Sequence, residues 1–231
     1  MSTAPLDLTD LGPLYHDYSF FGAVNEQLPG IYALNQAAKA PIITAYIALA
    51  LADAREQSDH VSFTELFCAD AYYAMVASRL GAASVRGVDN HRDDFSAKAP
   101  EVARRLGIGG FELVDLDVVT QIDRLEPADV VANVGGLYHV ADPEAVLQAS
   151  YDLARRYLVV QSVVSLANDD PDYFEAPAPG WDWGSRYSLV SFDTMIRSQG
   201  WNILAWHANE LTGNTEPKDR GSVYYLVEVA G

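Results

Sequence analysis

Four side chains that could do chemistry stand in, or just beyond, predicted strands. Glu65 lies in the first of these strands and Asp89 ends the second. Asp117 follows the third strand and His139 the fourth. A carboxylate accepts hydrogen bonds through two oxygens, and an imidazole with an ordinary pKa of about 6.5 can take up a proton near neutral pH. Because α/β proteins bind ligands beyond the carboxyl ends of their strands, we expect these side chains to meet at one site.

The elements that must position these residues alternate between strand and helix from residue 61 onward. The predicted strands cover 61–67, 84–89, 111–116, 129–134 and 157–164. The predicted helices cover 70–77, 93–106 and 142–155, and Asp70 and Asp142 are expected to cap the first and the third. This alternation is typical of a parallel sheet with helices on both faces.

The last part of the chain breaks the alternation. Residues 165–187 form a long connection rich in Pro, Asp and Trp, and long connections in compact domains are usually functional. A short helix over 191–199, capped by Ser191, is followed by strands over 201–207 and 222–229. The loop between these two strands is too short and too broken for a crossover helix. We therefore predict an α/β, doubly wound, mostly parallel sheet that ends in an antiparallel β-hairpin.

Residues 1–60 form a separate unit, predicted to be a helical N-terminal lid on the domain formed by 61–231. A helix is expected near the apolar stretch 41–52, with Pro41 in its first turn. That stretch is shorter than the roughly 20 residues of a membrane span, and no leader sequence is visible. We expect a cytoplasmic protein without a membrane partner. Four aromatic residues of this unit are candidates to face the site: Tyr15, Tyr18, Phe20 and Phe21.

Composition and charge limit the partners. The 231 residues include 15 Lys and Arg against 32 Asp and Glu, a net charge of −17. Such a chain repels a phosphate backbone, so nucleic acid is disfavoured and a small-molecule substrate is expected. The single cysteine, Cys68, cannot form an internal disulfide, which fits a reducing compartment. The sequence leaves the oligomeric state open, a homo-oligomer included.

The segment from Glu65 to Ala71, ELFCADA, resembles the first motif of class I S-adenosylmethionine (SAM)-dependent methyltransferases. Glu65 matches the family's acid, and Phe67, Ala69 and Ala71 stand where the family has glycines. The resemblance covers residues 61–231 and implies a Rossmann-like fold with SAM as the cofactor. It further implies that Glu65, Phe67, Cys68 and Ala69 contact the cofactor. A turn that only packs the helix against the strand is the alternative.

Two further acids match positions of this family. Asp89, followed by Asn90, stands where the family's acid accepts hydrogen bonds from both ribose hydroxyls. Asp117, followed by Val118, resembles the residue that accepts from the adenine amine, and Asp115 is the fallback for this role. The resemblance thus implies that these residues bind the adenosine part of SAM. Acids that only form turns are the alternative.

The segment DVVANVGGLYHVADP is the most specific match. It resembles the family segment in which the fourth strand opens toward the transferred methyl group. The resemblance implies that Asn133 binds the cofactor, that Tyr138 binds the substrate and that His139 is the catalytic base. A structural role for His139 in its turn is the alternative. Trp181 and Trp183, on the long connection, are predicted to shape the acceptor pocket.

The sequence therefore predicts a SAM-dependent methyltransferase that methylates O or N of a small-molecule acceptor. One alternative is a tRNA- or nucleoside-directed alkyl transferase, since Leu137, Tyr138 and His139 also resemble that branch of the family. Another is a catalytically degenerate subunit that keeps the SAM fold and binds a partner. No metal is expected, because the other histidines lack acidic or histidine partners at metal-ligand spacing. These are His16, His60, His91 and His207.

Overall fold

A computed structural model describes residues 4–90 and 94–230 of the chain. The strands, in chain order, are β1 (Leu6–Asp7), β2 (Ala23–Val24), β3 (Ser62–Leu66), β4 (Ser84–Asp89), β5 (Phe111–Asp115), β6 (Ala128–Val134), β7 (Ala154–Val164), β8 (Phe174–Glu175), β9 (Arg186–Tyr187), β10 (Asn202–Glu210) and β11 (Gly221–Glu228). The α-helices are α1 (Tyr32–Gln57), α2 (Tyr72–Arg79), α3 (Ala99–Arg105), α4 (Val118–Gln121), α5 (Pro143–Leu153) and α6 (Leu189–Ser198).

Seven of these strands form one sheet, in the order β10, β11, β7, β6, β3, β4 and β5. Neighbouring strands from β7 to β5 are parallel, whereas β11 runs antiparallel to both β7 and β10. The connection from β10 to β11 contains only a short 3-10 turn, so the chain returns directly as a hairpin. The predicted mostly parallel sheet with a terminal antiparallel hairpin is confirmed.

Alternation along the strands defines the two faces of the sheet. In β11, Tyr224 and Leu226 belong to one apolar cluster, while Val223, Tyr225 and Val227 belong to another. Helices α1, α2 and α3 contribute to the first cluster, and α5 and α6 to the second. Successive side chains of a strand point to opposite faces, so helices cover the sheet on both sides. The carboxyl ends of the parallel strands are then the edge at which a ligand can enter.

Helix α1 differs from its prediction. It begins at Tyr32, so Pro41 lies inside the helix and the placement of Pro41 in the first turn is wrong. Ile43, Ile47 and Leu51 recur every four residues and are buried in the first apolar cluster, which holds α1 against the sheet. The part of the chain before α1, from residue 4, contains only two-residue strands and short 3-10 turns. The segment is therefore helical only in its second half.

The length of α1 also changes the membrane argument. Its 26 residues, with a mean hydropathy of 1.4 in the most apolar window, are long and apolar enough to span a membrane. The conclusion that this stretch is too short to span is therefore wrong. A third of the window is buried inside the protein. Length and hydropathy alone do not separate a membrane helix from a core helix, and α1 packs in the core here.

Two predicted helix caps are also wrong. Asp70 does not cap α2, because Ala71 precedes this helix and the Asp70 carboxylate bonds to His16 instead. Helix α6 is capped by Ser188, which forms a capping box with Ser191, three residues later. Asp142 caps α5 as predicted, accepting a hydrogen bond from the Ala145 N–H. The predicted helix start at Asp93 lies outside the described residues, and the region after it begins as a 3-10 turn before α3.

Candidate active site

A cavity of about 690 Å³ opens at the carboxyl ends of β3, β4, β5 and β6. Its volume falls within the range of about 300–1,000 Å³ that is common for small-molecule sites. Ten residues predicted for the site line it: Glu65, Phe67, Cys68, Ala69, Asp89, Asn90, Asp117, Val118, His139 and Trp183. The fold therefore brings together side chains from four strand ends and from the long connection.

The turn from β3 to α2 has the backbone of a glycine-rich turn although it contains no glycine. Phe67, Ala69 and Ala71 have φ values of 54°, 47° and 59°, in the left-handed region that favours glycine. The Ala71 N–H donates to the Cys68 carbonyl at 2.7 Å, and the Cys68 N–H donates to the Val88 carbonyl at 3.1 Å. A non-glycine residue in this region costs roughly 1–2 kcal/mol, so the surrounding structure must hold the turn.

Glycines at neighbouring positions make room for this turn. A Cβ atom at Gly87 would lie 2.8 Å from the Cβ of Ala71 and 3.0 Å from the Sγ of Cys68. A Cβ atom at Gly136 would overlap the ring of Phe67. The turn thus packs closely against β4 on one side and against the turn after β6 on the other.

Ala69→Gly is expected to raise the free energy of unfolding by about 1 kcal/mol, because glycine adopts the left-handed conformation without a Cβ clash. Ala69 is only partly buried, so the substitution removes little packing. The matched control is Ala52→Gly, at an exposed position inside α1, which is expected to lower stability by about 1 kcal/mol. Urea unfolding of both variants measures the two changes. A loss of stability in Ala69→Gly would contradict a strained turn.

The Asp89 carboxylate ties this turn to the end of β4. Its Oδ2 accepts a hydrogen bond from the Ala69 N–H at 2.9 Å, and its Oδ1 accepts one from the Asn90 N–H at 2.8 Å. A carboxylate has about four lone-pair positions, so two remain for a ligand. Because Asp89 lines the cavity, it can accept from a pair of ligand hydroxyls while it stays anchored to the turn.

Glu65 and Asp117 occupy the cavity in different ways. Glu65 is almost completely buried, accepts a hydrogen bond from the Ala74 N–H at 2.7 Å, and has a pKa raised by burial. Asp117 caps α4, because its Oδ1 accepts from the Val119 and Thr120 N–H groups. Its Oδ2 is bonded to neither of these groups and can serve a ligand. Asp115, the fallback, is exposed at the end of β5 and does not line the cavity.

The N-terminal segment is fastened to the same turn by a buried hydrogen-bonded pair. Asp70 accepts from the His16 backbone N–H at 2.9 Å and contacts the His16 Nδ1 at 2.6 Å. The Tyr18 hydroxyl donates to the Asp70 carbonyl at 3.1 Å. His16 thus has an acidic partner that its sequence spacing does not show. Of the four predicted aromatic residues, Tyr15 lines the cavity, whereas Tyr18 is buried beneath the segment.

His139 lies at the wall formed by the long connection. Its ring stacks on Trp183 with centroids 5.1 Å apart and planes 13° from parallel. Removal from bulk water, with the positive charges of Arg186 and Lys39, lowers its pKa to about 4. Because this pKa lies well below 7, the imidazole is neutral at pH 7. The side chain remains accessible from the cavity, so it can receive a proton.

Three predicted site residues lie outside the cavity. The Asn133 side chain is buried and donates to the Ser150 hydroxyl in α5, at 2.9 Å, so it faces away from a ligand. The Tyr138 ring lies under the Arg186 guanidinium, 5.5 Å from its carbon, and contacts the His139 ring at a centroid distance of 4.2 Å. Trp181 is half exposed and contacts Trp183 rather than the cavity. These three side chains do not line the cavity, and their ligand contacts remain predictions.

Sequence reasoning missed several residues that line the cavity. The most informative are His16 and Lys39, and others include Tyr32, Tyr73, Phe95 and Gln161. Lys39 lies on α1, four residues before the buried Ile43, and burial lowers its pKa to about 8. The helical spacing of Lys39 and Ile43 is the one signal that could have placed Lys39 on the inner face of α1.

Within residues 4–90 and 94–230, no group of three or more His, Cys, Asp or Glu side chains could hold a metal ion. His91 lies outside this range. Burial raises the pKa of the Cys68 thiol, so Cys68 lines the cavity as a neutral group.

The fold is that of class I SAM-dependent methyltransferases, as comparison with solved structures shows. The N-terminal domain of EvdMO1, crystallised with S-adenosylhomocysteine (SAH), is 18% identical, with a TM-score of 0.66 over 96% of this chain and 93% of that chain. Magnesium protoporphyrin IX methyltransferase (ChlM) from Synechocystis PCC 6803, with bound SAH, is 12% identical, with a TM-score of 0.63 over 88% and 89%.

The same fold occurs in a protein with another named activity. The [4+2]-cyclase SpnF is 15% identical to this chain, with a TM-score of 0.56 over 81% of this chain and 79% of that chain. No family profile and no curated protein sequence matches the chain. At these identities the likeness establishes the fold, and the activity must be argued from the site.

Proposed function

We propose that the protein is a SAM-dependent methyltransferase that acts on O or N of a small-molecule acceptor. The turn after β3 carries the proposal, because its backbone is left-handed at three alternate residues and its Ala69 N–H is bonded to Asp89. A strained turn over a cavity is maintained where it serves a purpose, and here it would let a ligand approach the backbone closely. The cavity volume suits a nucleoside ligand with a second small molecule beside it.

The residues present fit SAM. Asp89 has lone pairs left that would accept from the two ribose hydroxyls, and Asp117 Oδ2 would accept from the adenine amine. Val118, at the start of α4, would offer its backbone N–H to the adenine ring. Glu65 holds the turn in place, and its carboxyl group faces the cavity beside the turn. Acids at this end of the cavity favour a ligand with cationic groups, such as a sulfonium and an ammonium.

The chemistry needs alignment and removal of one proton. SAM would supply a methyl group: the acceptor's lone pair forms the new bond to carbon, and the carbon–sulfur pair leaves with sulfur as SAH. His139 is neutral at pH 7 and lines the cavity, so it would receive the acceptor's proton. The Trp183 ring stacked on His139 would keep its orientation and limit access of water.

The decisive experiment is binding of SAM and SAH to the purified protein, followed by thermal unfolding and calorimetry. A ligand at about 100 times its Kd should add about 2.7 kcal/mol to stability. NAD serves as the comparison, because Asp89 alone would suit any adenosine ligand. Stabilisation by SAM and SAH but not by NAD supports the proposal. No stabilisation at millimolar SAM and SAH would refute it.

Asp89→Ala is expected to weaken SAH binding by about 1.5–3 kcal/mol, roughly 10–150-fold in Kd, because hydrogen bonds to a charged acceptor are lost. Asp115→Ala is the matched control: it removes an acid from the end of the neighbouring strand, outside the cavity. Calorimetry on both variants, with circular dichroism to check the fold, measures the difference. Equal SAH affinity in the two variants would exclude the ribose role.

The named activity of SpnF favours one alternative: a protein of this fold that binds a nucleoside cofactor and catalyses a different reaction or none. The outcome that supports it is tight SAH binding without methyl transfer to any phenol, amine or carboxylate tested. The RNA-directed alternative is opposed by the net charge of −17 and would show tRNA binding that weakens with salt. A cytoplasmic location and the absence of a membrane partner remain predictions.

A further inference from the structure

Charges are unevenly distributed around the cavity. Four carboxylates line it, those of Glu65, Asp89, Asp94 and Asp117. Among the described residues that line the cavity, Lys39 is the one lysine, and it lies on α1. Lys39 is partly buried, and an ammonium partly withdrawn from water is stabilised by an anionic partner.

Lys39 has no such partner in the described part of the chain. Among residues 4–90 and 94–230, no hydrogen bond or ion pair involves its ammonium group. Burial alone lowers its pKa to about 8, and no carboxylate of the cavity acts on it. The ammonium is therefore still mostly charged at pH 7, and it is available to a ligand.

The position of Lys39 separates it from the acids. Helix α1, which carries Lys39, packs against β6, β7 and β11, and His139 follows β6. Asp89 ends β4 and Asp117 follows β5. The charge of Lys39 also contributes to the lowered pKa of His139. Lys39 therefore belongs to the His139 and Trp183 end of the cavity, where the acceptor is expected. The acids belong to the end proposed for the cofactor.

We propose that the acceptor carries an anionic group, a carboxylate or a comparably acidic oxygen, and that Lys39 binds it. This inference rests on the proposed methyltransferase function and specifies its substrate class. Lys39 is a substrate-binding residue in this scheme. Its ammonium pairs with the anion, while the flat surface of Trp183 bounds the rest of the acceptor.

Pairing with an anion would also prepare His139. The charge of Lys39 disfavours the protonated imidazole, so neutralising it removes part of the cause that lowers the pKa of His139. A higher pKa makes His139 a stronger base for the acceptor's proton.

The test compares 4-hydroxybenzoate with 4-hydroxybenzamide, which differ in charge and little in shape. Binding to the SAH-saturated protein is followed by calorimetry. The wild type is expected to bind the carboxylate at least 10-fold more tightly than the amide. Lys39→Met should abolish this preference, and Lys39→Arg should keep most of it. No preference in the wild type, no measurable carboxylate binding at 10 mM, or an unchanged preference in Lys39→Met would overturn the inference.

A carboxylate could also come from the amino-acid part of the cofactor, and a second pair of ligands distinguishes this source. SAH contains the carboxylate, and 5′-methylthioadenosine lacks it. We expect Lys39→Met to change the affinity for both by less than about twofold. A selective loss of SAH affinity would assign Lys39 to the cofactor and refute the acceptor role. If SAH does not bind, the benzoate preference is measured on the protein alone; a preference that persists there means that the methyltransferase proposal fails but the anion site stands.

Discussion

Asp70→Ala is expected to lower the free energy of unfolding by about 2–5 kcal/mol. Asp70 is fully buried and accepts from both the backbone N–H and the side chain of His16. Without the carboxylate, these two donors are left in a site that water does not reach, and an unsatisfied buried donor costs roughly 1–3 kcal/mol. Urea unfolding at pH 7, followed by circular dichroism, measures the change.

The control for Asp70→Ala is Asp115→Ala, which removes an exposed acid at a strand end and should shift stability by no more than about 0.5 kcal/mol. Asp70→Asn provides a second comparison, because an amide oxygen can still accept one of the two bonds. A loss below 1 kcal/mol in Asp70→Ala would show that the pair with His16 does not hold the N-terminal segment.

His139→Ala is expected to lower the rate of methyl transfer by about 10²–10⁴-fold, the usual contribution of a positioned general base. SAH affinity should stay within about twofold, since His139 lies at the acceptor end. The pH profile carries the sharper expectation. A base acts in its unprotonated form, and a pKa of about 4 shifts the acidic loss of activity below pH 5, away from 6.5. The wild-type kcat/KM should therefore not break between pH 5.5 and 7.5 on account of His139.

Release of SAH from SAM, with an acceptor that supports turnover, measures both effects of His139. The matched control is His60→Ala, an exposed histidine outside the cavity, which should leave rate and pH profile unchanged. Turnover of His139→Ala equal to that of the wild type would leave only a structural role, through the stack on Trp183.

The sequence was sufficient to predict the sheet and the acidic residues Asp89 and Asp117 at its edge. Alternating apolar runs and capping residues predicted β3 to β7 in parallel, and a loop without a helix predicted the antiparallel hairpin of β10 and β11. Asp89 and Asp117 were predicted because they match acids of the methyltransferase family at the ends of predicted strands. These predictions depend on neighbours in sequence and on the resemblance to the family.

The missed features depend on contacts between distant parts of the chain. Asp70 stands where a helix cap is expected, but its carboxylate is hydrogen-bonded to His16, which is 54 residues away in the sequence. Asn133 sits in β6 with its side chain toward α5, and the match to a family segment does not reveal which face that is. The sequence shows Lys39 only as a charged residue of a helix. The packing of Ile43 in the structure shows which face of α1 points inward.

The contact between Ala71 and Gly87 means that one small volume is shared by two positions of the chain. The turn has alanine at position 71. The facing strand β4 has a glycine at position 87, where a side chain would collide with the Ala71 methyl group. The sizes of the two residues are therefore coupled, and a change at either one is tolerated according to the other. In this chain, a side chain at position 71 of the turn therefore requires a residue without a side chain at position 87.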